Sequence, residues 1–261
     1  MKAIIIAAGP SKRLRPLTDD TPKCMLEIDG KPIIRNTIDI FRDNGINDIS
    51  TVVGYRKEKI NFDNISYFEN TDFNNNNILH SLMFARSKME EAVKTGEDVI
   101  ITYSDIWYNE GVVKKLLSSS GDISAVVDIE WHEYYDGRTD HPIHEAENVI
   151  LDDKSAVLKI GKHIFTSHIP STKEGEFIGL WKFTSRGAEA FLKTFDRLDK
   201  SLKKDEPFQR ASQWQKAYIT DIFQEMVDKG GKIYGVLIKQ NWKEFDTVQD
   251  YMRIKDSCNV N

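Results

Sequence analysis

The chain opens on an unbroken apolar run, Ala3 to Ala8, rich in isoleucine and closed by Gly9. A run so short and so uniformly apolar predicts a strand buried on both faces. Ile34, Ile38 and Phe41 then recur at helical spacing, and Asn44-Gly45 supplies a stop. Residues 49–53 read as a second strand, closed by Gly54, and 65–68 as a shorter one. Residues 70–77 are nearly all Asn, Asp and Thr, a loop composition. Leu79, Leu82, Met83, Met89 and Val93 predict one helix with a single apolar face. A strand at 99–103 ends at Ser104-Asp105, and a helix at 112–117 and a strand at 123–127 follow. Strand and helix alternate throughout, which predicts an α/β fold with a mostly parallel, Rossmann-like sheet flanked by helices.

That rhythm breaks between residues 129 and 175. WHEYYDGRTDHPIHEAE is dense in aromatics, acids and histidines and has no clear period; 149–151 and 157–160 suggest a small hairpin across Asp152-Asp153-Lys154. An excursion this long predicts a lid or acceptor-binding insertion within a single domain spanning 1–261. Regular patterning resumes with a strand at 177–183 and a helical stripe of Ala188, Phe191, Leu192, Phe195 and Leu198. Residues 200–216 are highly charged and resist assignment. A helix at 219–227, a strand at 233–238 and a helix from Val248 complete the chain.

Composition narrows the function classes. A net charge of -5 argues against a general nucleic-acid partner. Only Cys24 and Cys258 are present, in no metal-ligand pattern, which fits a reducing compartment. Lys2 before AIIIAA imitates a signal peptide, but the apolar run is too short and Gly-Pro and four cations follow it. No segment is long enough to span a bilayer. A cytoplasmic protein without a membrane partner is the expectation; the oligomeric state, a homodimer included, stays open.

The chemistry concentrates where the first strand ends. Gly9 turns the chain sharply, and Lys12, Arg13, Arg15 and Lys23 follow, so backbone N–H groups and cations converge on a place suited to phosphates. There is no GxxxxGK[ST], and GxGxxG fails because only Gly9 is present. The segment instead resembles the opening of the sugar-nucleotidyltransferase superfamily, roughly AAGxGxRLxPLTxxxPKxLxxIxGKP. It matches at Ala7-Ala8-Gly9, Arg13-Leu14, Pro16-Leu17-Thr18, Pro22-Lys23 and Gly30-Lys31-Pro32. Two positions depart: Ser11 replaces the second glycine, and Pro10 removes an N–H donor.

The resemblance implies a nucleotide cradle of Ala7, Ala8, Gly9, Pro10, Ser11 and Lys12. It places Arg13 on the leaving phosphates and Lys23 near the transferred phosphoryl group. It also implies that Asp105, after a central strand, and Asp246, in WKEFDTVQDY, hold Mg²⁺. Asn76, Asn77 and Ser81 become candidates for reading the base, and Glu176 for touching the acceptor.

PKCM, the short chain and FDTVQDY make it most similar to the small-acceptor cytidylyltransferases, which include phosphocholine and phosphonate cytidylyltransferases. The implied reaction is CMP transfer from CTP to a small phosphate or phosphonate. The acceptor expected first is a small phosphonate, 2-aminoethylphosphonate, which would suit Arg138 flanked by Asp136 and Asp140, with phosphocholine as the alternative. Phosphocholine would want an aromatic box, for which Trp107, Trp131, Tyr134, Tyr135 and Trp181 are at hand. Rival readings are a hexose-1-phosphate nucleotidyltransferase and a non-catalytic nucleotide-binding regulator. A glycosyltransferase is weaker, because Asp105-Ile106-Trp107 lacks the second acid of a DxD.

Overall fold

The computed structural model describes residues 1–164 and 171–258. Lys2–Ala7 is buried along its whole length and lies between Asp48–Val53 and Val99–Tyr103, parallel to both; Ile65–Glu69 adds a parallel edge. A strand flanked on both sides in a sheet covered by helices has no solvent face, which is why its sequence does not alternate.

Lys173–Phe183 reverses the direction. It runs antiparallel to Val99–Tyr103 through Leu180 to Phe183, and to the hairpin strand Glu147–Leu151 through Lys173 to Glu176. Its other partner, Ile123–Asp128, carries Tyr234–Ile238 in parallel. Gly179 sits where the register shifts, at φ +79, with the Tyr103 ring packed so closely that a Cβ would strike it. The predicted α/β architecture is therefore present. The 149–160 hairpin is built into the main sheet through Lys173–Phe183: Glu147–Leu151 pairs with it and with Val157–Lys162.

Three local departures have physical causes. The helix expected from Leu79 to Val93 is broken into Ile78–Leu82, a 3-10 turn Met83–Ala85 and Arg86–Thr95. Its buried positions are Leu79, Leu82, Ala85, Met89 and Ala92, while Met83 and Val93 are only partly buried. Small alanines carry the core face that larger residues advertise. The charged stretch 200–216 is irregular but pinned by buried Phe208, Ala211 and Trp214. The third departure is a short ladder the sequence does not signal. Ile106–Tyr108 pairs antiparallel with Trp242–Glu244, Glu244 opposite Ile106. No helix among the described residues is long and apolar enough to cross a membrane.

Candidate active site

The carboxyl ends of Lys2–Ala7 and Val99–Tyr103 open on a cleft of about 310 Å³. This is the edge of an α/β sheet where ligands gather. Leu14, fully buried, anchors the first loop, and Thr18 donates its hydroxyl to the Ser11 carbonyl at 3.0 Å. Ser11 sits at φ 44, in the left-handed region. That conformation explains why the family pattern carries glycine there, and a serine holds it at a cost of about 1–2 kcal/mol. Ala7, Ala8, Gly9, Pro10 and Ser11 all line the cleft; Lys12 is exposed and does not.

The small ladder decides the chemistry. Phe245 donates its N–H to the Asp105 carbonyl at 3.0 Å, which seats the chain after Trp242–Glu244 beside the end of Val99–Tyr103. Asp105 and Asp246, far apart in sequence, then share one cation: Lys23 Nζ lies 2.6 Å from Asp105 Oδ2 and 2.6 Å from Asp246 Oδ1. Arg13 Nη2 reaches Asp246 Oδ2, also at 2.6 Å. Burial alone would lower the Lys23 ammonium, but Asp105 and Asp246 outweigh it and hold it above its ordinary value. For Asp246, burial would raise the carboxyl, yet Lys23 and then Arg13 keep it well below the usual carboxylate range. Asp246 thus stays ionised at neutral pH, opposite two cations.

Asp105 Oδ1 is buried without a hydrogen-bond partner. An orphaned carboxyl oxygen beside the ionised Asp246 carboxylate fits a hard divalent cation such as Mg²⁺, which takes oxygen ligands. His141, Glu244 and Asp246 also place candidate ligand atoms within 4.8 Å of one another. That cluster already holds a cation: Arg138 Nη2 donates to His141 Nδ1 at 2.7 Å and to Glu244 Oε2 at 3.1 Å. Lys23 likewise sits between Asp105 and Asp246, but Asp105 Oδ1 there is left free, whereas a metal at Nδ1 would face the guanidinium, so the Asp105–Asp246 pair is the better fit.

Arg138 itself corrects the expectation of an acceptor-binding arginine. Its side chain is 1% exposed. It forks onto Asp250 at 2.7 and 3.0 Å and packs between the Tyr134 and Tyr135 rings at 4.6 and 4.9 Å. Asp250 in turn accepts from the backbone N–H groups of Asp246 and Thr247. The arginine braces the Asp246 loop and does not line the cleft. Asp136 and Asp140 are exposed and lie outside it too. Trp107 lines a separate cavity beside Arg138 and packs on the cluster around Leu14 and Phe245. None of the five aromatics expected to form a box lines the cleft; Trp181 is core, and Trp131 and Tyr135 form a satellite cluster.

Asn76, Asn77 and Ser81 do line it. Buried Asn70 donates to Asn76 Oδ1 at 2.9 Å and to Ser81 Oγ at 2.7 Å, and Asn77 donates to the Lys216 carbonyl. Glu176 stands on the opposite wall, where the Tyr135 hydroxyl donates to Oε1 at 2.5 Å and Oε2 has no partner. Burial pushes its carboxyl up to about 8. Sequence reasoning missed the rest of this wall. Glu145, Glu147 and Lys162 come from the patternless insertion, and burial lifts Glu147 to about 7. Glu244 had a signal, two positions before Asp246 on a strand. Cys24 lines the cleft, but burial raises its thiol to about 12, so it offers no thiolate nucleophile.

A MobA-like NTP transferase domain model matches residues 3–153. The "CTP:phosphoglutamine cytidylyltransferase" of Campylobacter jejuni is 30% identical over 255 residues, covering 96% of this chain and 97% of that one. The "Choline-phosphate cytidylyltransferase" of Streptococcus pneumoniae is 48% identical over 62 residues, 24% of this chain and 27% of its own. A solved CTP:phosphocholine cytidylyltransferase from the same organism superposes with a TM-score of 0.69 at 22% identity, covering 98% of each chain, which shows a shared fold. With the family model spanning more than half of the sequence and a relative aligned nearly end to end, the chain belongs to the sugar-nucleotidyltransferase superfamily, in its MobA-like NTP transferase group, and is a nucleotidyltransferase.

Proposed function

We propose that the protein transfers CMP from CTP to a small phosphorylated acceptor bearing an amine, with release of pyrophosphate. The observation that carries the transfer is Lys23 held between Asp105 and Asp246 at the mouth of the Gly9 loop. An oxygen of the acceptor phosphate attacks the α-phosphorus; its new O–P bond forms as the bond to the pyrophosphate oxygen breaks. Lys23 neutralises the α-phosphate and Arg13 the departing pyrophosphate. The acceptor phosphate is already ionised, so no general base is required. Asp105 and Asp246 would hold Mg²⁺, which supplies charge neutralisation across the phosphate oxygens.

Cytidine is supported by the near full-length Campylobacter relative and by the pneumococcal one. An amine on the acceptor is supported by Glu145, Glu147 and Glu176, three carboxyls lining the cleft beside Lys162; an ammonium bound there would draw the raised Glu147 and Glu176 carboxyls into their charged forms. The placement of Arg138 removes the reason to prefer a phosphonate, so 2-aminoethylphosphonate stands beside phosphocholine and phosphoglutamine as acceptors to compare. A matrix of four nucleoside triphosphates against these acceptors and glucose 1-phosphate, read as pyrophosphate release, tests the reading. Pyrophosphate should appear chiefly with CTP and an amine-bearing acceptor. A preference for UTP or dTTP with glucose 1-phosphate would replace it by the hexose-phosphate reading.

A further inference from the structure

Asn77, Glu145, Lys162 and Tyr218 line the cleft and also an adjoining cavity of about 340 Å³. Beyond them, the charged side chains of that cavity are Arg210, Lys216 and Asp221. The Asp221 carboxylate is committed to the backbone. It accepts from the N–H of Tyr218 at 2.7 Å and of Arg210 at 3.1 Å, capping the helix Ile219–Asp228. Among the described residues, Arg210 and Lys216 donate to carbonyl oxygens, those of His163 and Asn74, each at 3.3 Å, and Arg210 also offsets the charge of Asp221.

Lys162 stands on the boundary between the two spaces. Its Nζ is 3.2 Å from Glu145 Oε2 and 4.8 Å from the centre of the Tyr218 ring, and its side chain is 19% exposed. An ion pair thus faces both cavities, with further carboxyls, Glu147 and Glu176, on the cleft side and further cations on the other. Such an arrangement complements a ligand that carries an ammonium and a carboxylate on one carbon.

We propose that the adjoining cavity is a carboxylate subsite and that the acceptor is a phosphorylated α-amino acid. Its ammonium would face Glu145 and Glu147, and its carboxylate Lys162, Arg210 and Lys216. Charge-assisted hydrogen bonds from two or three cations give the carboxylate a directional grip that an amine alone cannot use. This rests on the transfer reading above and narrows it to one substrate class.

Matched acceptor pairs test it. O-Phosphoserine and phosphoethanolamine differ only in the carboxylate, as do O-phosphohomoserine and 3-aminopropyl phosphate at one methylene longer. With CTP, the carboxylate-bearing member should be preferred in kcat/KM by at least about tenfold at one or both lengths, the scale of a single charge-assisted contact. Arg210→Gln combined with Lys216→Gln should bring that ratio close to one. Equal or better turnover of the decarboxylated member at both lengths overturns the subsite. So does a preference that survives the double substitution. If phosphocholine or glucose 1-phosphate alone yields pyrophosphate, the subsite falls while transfer stands. If no acceptor yields pyrophosphate from any nucleotide, the transfer reading itself fails.

Discussion

The first loop and the segment around Arg138 look equally rich in chemistry, yet they fold in opposite senses. In the loop, Leu14 and Thr18 turn inward, and Arg13 and Lys23 are left to reach Asp246. In YYDGRTDHP the arginine turns inward, clasped by two tyrosines and paired with Asp250, while its flanking acids Asp136 and Asp140 face solvent. A cation in sequence carries no direction. What sets its direction is the nearest buried counter-charge, and for Arg138 that partner is supplied by the last helix. The loop lines the cleft; the segment braces the loop that carries Asp246.

The sharpest way to break this contrast is to remove the shared acids. Asp246→Asn should reduce turnover at least ~10²-fold, the scale of losing a principal electrostatic element. Asp105→Asn should act similarly, and the double variant should lose far less than the product of the two, because both act on one cation site. Steady-state pyrophosphate release and a thermal melt of each variant decide it; multiplicative loss would mean two independent sites.

Next in size is the contrast within the loop. Lys23→Ala should lower kcat by more than about tenfold, whereas Lys12→Ala, an exposed cation outside the cleft, should leave it close to wild type. Equal behaviour of the two would mean that the loop presents a different face to the nucleotide.

The Arg138 segment predicts a smaller and different effect. Arg138→Lys keeps the charge but cannot fork onto Asp250, so Asp246 loses its brace. The Mg²⁺ concentration for half-maximal activity should rise about tenfold, as for other residues that orient metal-binding carboxylates. The acceptor KM should change little. A rise in acceptor KM with unchanged Mg²⁺ dependence would return Arg138 to the acceptor. Mn²⁺ binding measured directly separates the two without turnover.

The same contrast explains how much was legible in the sequence. The strands were readable because a doubly covered sheet forces continuous apolar runs, and the loop because many of its motif positions lie close together. The meeting of Asp105 with Asp246 was implied by family resemblance alone. Its physical cause is a three-residue ladder, Ile106–Tyr108 with Trp242–Glu244, too short to leave a period. The acidic wall was hidden for a related reason. Glu145 and Glu147 lie in a stretch without alternation, and the sheet that gathers them with Glu176 forms through Lys173–Phe183. The burial of Arg138 was not legible because Asp250, its partner, gives no local sign of the pairing.

The smallest predicted effect comes from that wall. Burial raises Glu176 to about 8 and Glu147 to about 7, against about 4.5 when unfolded. Between these values the folded protein binds more protons than the unfolded chain, so stability falls as pH rises. The contribution of each group is fully present below about pH 4.5 and is lost as pH climbs through its folded pKa. For the ligand-free protein, the melting temperature should therefore decline from about pH 6 to pH 9, each group adding at most about 1.4 kcal/mol per pH unit. Glu176→Gln cannot ionise and should flatten the upper part of that decline, where the wild-type carboxyl titrates. A decline as steep in Glu176→Gln as in wild type would show that Glu176 is not the group being titrated.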